Sequence, residues 1–535
     1  MANMEQYRRA DGPLPGTYLA WQIFGAGFDN IGKDGKPTSL ELRPPAENEI
    51  LCRVDALGLC LSDIKIVNQG SKHPRLRGRD LSVEPTVLGH ECSATVVKVG
   101  AQWQDTFHVG ERYIVQADIY YKGLGFAFGY LIPGGLAQYF YLDERALDGD
   151  EGCYLLPVQP DTGYSQAALS EPWACVEMSY NLDERLVPGG GELLIVDDDP
   201  ARWHEANPSA LIVPRSLDEL TDEKFDDIIV PNPSPEIVEA LAPRLRKGGV
   251  MFLLGEPASQ GAASLDIGRI HYDDIRFLGG GPDVDAVRVC NERGDLLPEG
   301  SALFIGAGGP MGQMHVQRAI ELDAGSKCVV VTDLDRSRLD HIEHRFGELA
   351  RAKGVALHTF SPSQFESQTA MDGAVHALAP QGYDDVCVLA PVPALVSAAM
   401  SFAADNALVN VFAGIPIGNP ANLQLADLCR GIKIIGSSGS RISDLRRILQ
   451  LVESKQLNTD MSVAAVGGLA VAREGLEGVK SGRFPGKTVI YTQILDLPLM
   501  GLDEIAAAVP EVAAKLGPNN AWTKEAEQAL LERYA

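Results

Sequence analysis

A chain of 535 residues is longer than one hydrophobic core ordinarily supports, so about three domains of common size are expected. With 46 Lys and Arg against 72 Asp and Glu the formal charge is −26, and no basic patch stands out to offset it. Nucleic acid and anionic membrane are therefore not expected partners. The 45% hydrophobic content and the lack of a long apolar run read as a soluble globular protein without a bilayer span.

The first 16 residues mix acidic and basic side chains and lack the apolar core of a secretory signal, so a cytoplasmic location is expected. Nine cysteines, scattered from Cys52 to Cys429, include no Cys-x-x-Cys pair, and in a reducing compartment they read as free thiols plus one ligand.

In chain order, the apolar runs at 50–54, 92–99, 112–115 and 138–142 are short and broken by glycine and proline, the pattern of strands in a compact β-rich unit. The loops between them carry Gly58-Leu59-Cys60-Leu61-Ser62-Asp63 and Val87-Leu88-Gly89-His90-Glu91-Cys92. Sulfur, imidazole and carboxylate together form the donor set zinc prefers, with three protein ligands and one position open to water or substrate. A lone cysteine is most often a small buried hydrophobe, so Cys60 counts as a ligand only in this company.

From residue 191 the chain repeats itself. Phe225-Asp226-Asp227-Ile228-Ile229-Val230 matches Tyr383-Asp384-Asp385-Val386-Cys387-Val388, and GVMFLLGEP at 249–257 matches ALVNVFAGIP at 407–416. Ile275-Arg276-Phe277-Leu278-Gly279 matches Ile432-Lys433-Ile434-Ile435-Gly436, so two nucleotide-type domains in tandem are implied. The first opens with GELLIV at 191–196, but where a phosphate loop should follow it has Asp197-Asp198-Asp199-Pro200. Those carboxylates would repel a pyrophosphate, and the stretch up to Phe225 is too short for a full helix and second strand. This copy is not expected to bind a dinucleotide, and its aspartates read as solvated loop residues without a metal.

The second copy runs from the strand at 301–305 through Gly306-Ala307-Gly308-Gly309-Pro310-Met311-Gly312 and a helix over 313–322 to a strand at 328–332 closed by Asp333. This is the dinucleotide fingerprint, in which glycines admit the pyrophosphate to the backbone and an acid accepts the ribose hydroxyls. Either Gly306, Gly308 and Gly312 or Ala307, Gly309 and Gly312 fit it, because the loop is one residue longer than the common form. Asp333 favours NAD over NADP by repelling the extra phosphate, against Arg336 and Arg338 close behind, which offer that phosphate a partner or simply start a solvated helix. Residues 496–535 read as helices for packing or oligomer contact.

With these motifs in hand, the chain resembles the zinc-dependent medium-chain dehydrogenase/reductase superfamily, in the polyol and sugar dehydrogenase branch of sorbitol dehydrogenase and L-sorbose-1-phosphate reductase. The likeness covers roughly residues 50–180 and 298–494, ending with Gly486-Lys487-Thr488-Val489-Ile490, which returns to the first domain. It implies an α/β fold with a GroES-like β-rich catalytic domain at 1–186 and a degenerate Rossmann-like copy at 187–297. An intact NAD-binding Rossmann domain at 298–445 follows, then the return to the catalytic domain and a helical extension at 446–535. By position the resemblance gives the zinc to Cys60, His90 and, from Ser170-Glu171-Pro172, Glu171. Glu91 becomes a neighbouring or exchanging ligand, and Asp63 orients His90. Relatives often carry a second, structural zinc on four close cysteines; residues 111–141 hold none, so one zinc is expected. A histidine common in the family's proton path is here Lys65, which leaves Ser62 as the first proton carrier and Lys65 as a candidate beyond it.

The activity implied is hydride transfer between NAD and a secondary alcohol of a polyol, cyclitol, sugar or sugar phosphate, with zinc as Lewis acid. The alternatives are a zinc-free NAD(P)H carbonyl or enone reductase, and a pseudoenzyme or assembly subunit. Specificity is expected from the loop at 122–135, whose aromatic surroundings include Tyr120, Tyr121, Phe126, Phe128 and Tyr130. Because subunits of the resembling family pair through the last strand of the nucleotide domain, the two copies are expected to pair their 275–278 and 432–435 edges as an intrachain pseudo-dimer. Homo-oligomerisation is left open.

Overall fold

Strand Ile50–Gly58 is buried along its whole length although it contains Arg53 and Asp55. The two charges neutralise one another, Arg53 Nη2 donating to Asp55 Oδ1 at 2.9 Å and Thr95 Oγ1 to the other carboxylate oxygen at 2.6 Å, so the strand sits at the centre of a sheet. The computed structural model describes residues 7–180, 191–204, 209–218, 220–256, 261–281, 293–322 and 325–535. It divides into two compact units, Met1–Glu177 with Gly439–Ala535, and Met178–Ser438. The 186/187 boundary expected from sequence lies outside the described residues.

In the first unit an eight-stranded sheet has the order Leu155–Pro157, Arg112–Val115, Glu91–Val99, Ile50–Gly58, Lys487–Tyr491, Val463–Gly468 and Met500–Gly501, with Tyr139–Leu142 also pairing with Ile50–Gly58. Register decides what meets at one end of it. Gly58 opposes Glu91 on one side and Val489 on the other, so Cys60, His90, Glu91 and Lys487 arrive together from three strand ends.

In the second unit eleven strands form one sheet. From one edge the order is Leu211–Val213, Leu193–Val196, Phe225–Pro231, Leu245–Leu254 and Arg276–Gly279. It continues through Lys433–Ile435, Ala403–Val411, Tyr383–Val388, Ser301–Ile305, Cys328–Thr332 and Ala356–Phe360. All neighbours are parallel except Arg276–Gly279 with Lys433–Ile435, which are antiparallel with Phe277 opposite Ile434. A second antiparallel pair joins Ala262–Asp266 to Pro420–Gln424, with Ser264 opposite Asn422 at its centre. The strand at Leu211–Val213 has only three residues, and the turn before it holds a four-residue helix, Ala201–His204. One apolar core runs across the whole sheet, from Leu194 to Ile434. Among the described residues no helix is long and apolar enough to cross a membrane.

Candidate metal centre and dinucleotide loop

Cys60 closes strand Ile50–Gly58 and caps helix Leu61–Gln69, where Asp63 answers by accepting the Cys60 N–H at 3.2 Å through Oδ2. The other Asp63 oxygen accepts the Gly89 N–H at 3.2 Å and lies 3.4 Å from His90 Nδ1. One buried carboxylate thus ties the cysteine segment to the histidine segment, and it stands behind His90 as the sequence reading requires. The ligand atoms of Cys60, His90 and Glu91 all lie within 4.8 Å of one another. Ser62 Oγ is 3.5 Å from Cys60 Sγ.

Glu91 is fully buried. Lys487 Nζ donates to its Oε1 and, at 3.3 Å, to the Leu59 carbonyl. Its Oε2 has no hydrogen-bond partner, and it occupies the space a Gly58 side chain would take, since a Cβ there would stand 2.1 Å away. Glu171, in the first turn of helix Ser170–Met178, is outside the 4.8 Å group yet buried close enough to interact with His90, Glu91 and Lys487. Burial pushes its carboxyl up to about 7, with His90 opposing and Glu91 reinforcing the shift. Burial also disfavours the charged His90 imidazole, but Asp63 and Cys60 outweigh it and hold its pKa well above the ordinary value. The orphaned Glu91 oxygen and the mixed S, N and O donors suit zinc.

In the second unit Gly306 takes a left-handed φ of 73°, and a Cβ on it would meet Ala390 Cβ at 2.5 Å. Gly308 donates its N–H to Asp333 Oδ2 at 2.8 Å. Gly309 caps helix Pro310–Glu321, which starts three residues earlier than the sequence reading, with Pro310 and Met311 in its first turn. A Cβ at Gly312 would stand 2.5 Å from Ala307 Cα, so only glycine lets helix and loop approach this closely. The loop, helix terminus and acid are thus assembled as a dinucleotide cradle requires. Arg336 is committed to Asp340, Glu343 and Thr359, while Arg338 lies 3.6 Å from Asp335. The corresponding turn after Leu193–Val196 is filled differently. Asp197 Oδ2 accepts the Trp203 Nε1–H at 2.7 Å, and Asp198 Oδ1 accepts the Arg215 N–H at 2.9 Å.

Three residues of the metal neighbourhood carry no role in the sequence reading: Lys487, Gly58 and Asp118. The signal for Lys487 was present, because a lysine opening the buried strand KTVIY needs an anion beside it.

Fold and site define a class: a β-rich unit with a candidate metal cluster, and a doubly wound sheet with a glycine loop of the dinucleotide type, the parts from which alcohol dehydrogenases are built. Residues 46–148 match the alcohol dehydrogenase GroES-like domain. Over 530 residues the chain is 24% identical to L-sorbose 1-phosphate reductase of Klebsiella pneumoniae, covering 96% of this chain and 97% of that one. It is 25% identical over 521 residues to mannitol-1-phosphate 5-dehydrogenase of Aliivibrio fischeri, covering 94% and 96%. The crystal structure of 2R,3R-butanediol dehydrogenase from Bacillus subtilis matches 89% of this chain and 99% of its own length, with 15% identity and a TM-score of 0.54. The chain is therefore similar along most of its length to dehydrogenases of the polyol and sugar-phosphate type, and residues 46–148 share the alcohol dehydrogenase GroES-like domain.

Proposed function

We propose that the protein is a zinc- and NAD-dependent oxidoreductase that moves a hydride between the cofactor and a secondary alcohol of a polyol, cyclitol, sugar or sugar phosphate. The observation that carries this reading is the convergence of Cys60, His90 and Glu91 within 4.8 Å, with Glu171 buried beside them. Cys60, His90 and Glu171 would hold the zinc, with Glu91 adjacent and anchored by Lys487. When bound, zinc would supply Lewis-acid polarisation of the substrate oxygen and the nicotinamide the hydride chemistry. Asp63, 3.4 Å from His90 Nδ1, would orient His90, and Ser62, whose Oγ lies 3.5 Å from Cys60 Sγ, would receive the substrate proton. Asp333 and the Gly306–Gly312 loop hold the ribose and pyrophosphate, with NAD preferred over NADP. The names of the two long relatives favour a phosphorylated polyol or ketose as substrate.

The test has two parts. About one zinc per chain is expected by elemental analysis, lost in Cys60→Ala. NAD-linked oxidation of at least one polyol or sugar alcohol is expected from the zinc-loaded protein and not from Cys60→Ala. Zinc-independent turnover would favour the metal-free reductase, and NADH binding without turnover the pseudoenzyme.

For the first half of the second unit we propose a diverged duplicate that serves as a built-in partner. Support comes from the antiparallel seam, in which matching residues of the repeat, Phe277 and Ile434, oppose one another, and from the second antiparallel pair that joins Ala262–Asp266 to Pro420–Gln424. Matching residues meet in this way only across a local two-fold axis. A titration that finds one NADH per chain fits this reading, and two per chain would overturn it.

A further inference from the structure

Against a net charge of −26 the chain carries a dense basic run, Lys72-His73-Pro74-Arg75-Leu76-Arg77-Gly78-Arg79, directly after the helix that begins at Cys60. Two members of this run pack against Tyr130, whose ring neighbours His90. The Arg75 guanidinium lies 5.3 Å from the centroid of the Tyr130 ring, and the His73 ring lies 5.6 Å from it. The buried Tyr130 ring is in turn 6.0 Å from the ring of His90. Arg75 Nη1 is held at 2.6 Å by Asp118, whose charge also reaches Glu171.

Lys65 joins them from helix Leu61–Gln69, three residues after Ser62 and so on the same helix face. It makes no hydrogen bond to Ser62 among the described residues. The imidazole of His73 is pulled below its ordinary pKa by burial and then by Arg75 and Lys65, so all three groups share one electrostatic neighbourhood. His73 Nδ1 accepts the Arg75 N–H at 3.3 Å, which leaves a neutral His73 with its proton on Nε2 as a donor.

We propose that Lys65, His73 and Arg75 form a phosphate subsite that takes the terminal phosphate monoester of a phosphorylated polyol or sugar while its reacting hydroxyl lies at the metal centre. Among the described residues, Arg75 Nε and Nη2, His73 Nε2 and Lys65 Nζ have no hydrogen-bond partner, and Asp118 is the carboxylate that balances Arg75. Arg75 and Lys65 are exposed, so their remaining donors are open to an anion arriving from solvent. A phosphate monoester supplies about two negative charges and three acceptor oxygens, which match a guanidinium fork, an ammonium and an imidazole N–H. A plain polyol would leave all of these donors on water.

The inference rests on the dehydrogenase reading above, and the experiment separates the two. Initial rates are measured with the zinc-loaded full chain on paired hexitols and ketohexoses, each with and without a terminal phosphate, using both NAD and NADP. For the productive pair, wild-type kcat/KM is expected to favour the phosphorylated member. Arg75→Gln and Lys65→Gln are each expected to lower that preference about tenfold or more, the size of a lost charge-assisted hydrogen bond. Calorimetric titration with the phosphorylated member should show the same loss of affinity without turnover. If Arg75→Gln fails to fold because Asp118 is left unpaired, Lys65→Gln, at an exposed residue, carries the test together with Arg75→Lys, which keeps the charge and loses the fork. Equal rates for both members in wild type, or an unchanged ratio in the variants, overturns the subsite and leaves the dehydrogenase standing. A shift in the NAD to NADP ratio alone assigns the cations to the cofactor and also overturns the subsite. Absence of turnover on every member of the panel overturns the dehydrogenase reading itself.

Discussion

Lys487→Met isolates the ion pair beneath the metal centre. The side chains of Lys487 and Glu91 are 4% and 0% exposed, so removal of the cation leaves a carboxylate in the interior with no water to solvate it. Such a break typically costs about 3–5 kcal/mol. Two features of the site fix the figure within that range. Glu91 Oε2 already lacks a hydrogen bond, so no spare donor compensates the loss, which argues for the full cost. His90 stands in the same cluster and its charged form would take up part of the field, which moves the expectation to about 3 kcal/mol, the lower end of the range for breaking a buried pair. The assay is urea unfolding of the EDTA-treated protein, followed by the fluorescence of Trp21 and Trp173, both buried in this unit. The double variant Lys487→Met, Glu91→Leu removes both charges and is expected to recover to within about 1 kcal/mol of wild type. A single-variant loss under about 1 kcal/mol, or a double variant no better than Lys487→Met, would refute the argument that these charges compensate one another.

Gly58→Ala drives a methyl group into the space of Glu91 Oε2, 2.1 Å away, and is expected to lower zinc content at equal folded yield; undiminished metal would show that the Glu91 position is irrelevant to binding. Gly312→Ala pushes helix Pro310–Glu321 off Ala307, and the Kd for NADH should rise about tenfold, as for loss of one or two charge-assisted contacts to the pyrophosphate, with little change in zinc content. In the first unit Asp460 lies buried with Ser165 and Glu527, and burial followed by the Glu527 charge raises its carboxyl from 3.8 to about 8. Below 3.8 both folded and unfolded states are protonated; above it the unfolded state ionises first, so stability falls as pH rises through about 8. Urea midpoints measured from pH 5 to 9 should therefore decline in wild type and flatten in Asp460→Asn, and parallel profiles would contradict the assignment.

The candidate metal cluster is legible in the sequence wherever a motif carries it. Gly-x-Cys-x-x-Asp and Gly-His-Glu announce Cys60 and His90, and the strand register that joins them follows from two long apolar runs, Ile50–Gly58 and Glu91–Val99, forced to pair by burial. What lay beyond motifs was harder to read. Glu91 entered the tight cluster and Glu171 stood just outside it, a distinction set by side-chain paths that spacing does not encode. Lys487 was hidden because its partner lies 396 residues away in the chain. The basic run at 72–79 was hidden by summation, since a net charge of −26 describes the whole surface and says nothing about one turn packed against Tyr130.

Glycine placement shows where the two halves of the eleven-stranded sheet differ and where they had to stay alike. In the half with the dinucleotide loop, glycine is required at Gly306, Gly308 and Gly312, where a side chain would strike Ala390, Asp333 or Ala307. In the other half, Gly268 lies where a Cβ would come within 2.5 Å of the Pro416 carbonyl and the Ile417 nitrogen, and Gly279 where it would meet the Leu428 carbonyl at 1.9 Å. These two glycines serve the antiparallel seam, and their absent side chains let backbone approach backbone across it. On the proposed duplication, the half that lost its phosphate loop was free to fill that turn with Asp197, Asp198 and Trp203, because a loop contributes little to the shared core. Strands Phe225–Pro231 and Leu245–Leu254 had no such freedom, since their buried residues support the same core that carries the intact loop in the other half. On this proposal, cofactor binding and packing are separate constraints on separate residues, and a half without a phosphate loop would still be indispensable to the half that keeps one.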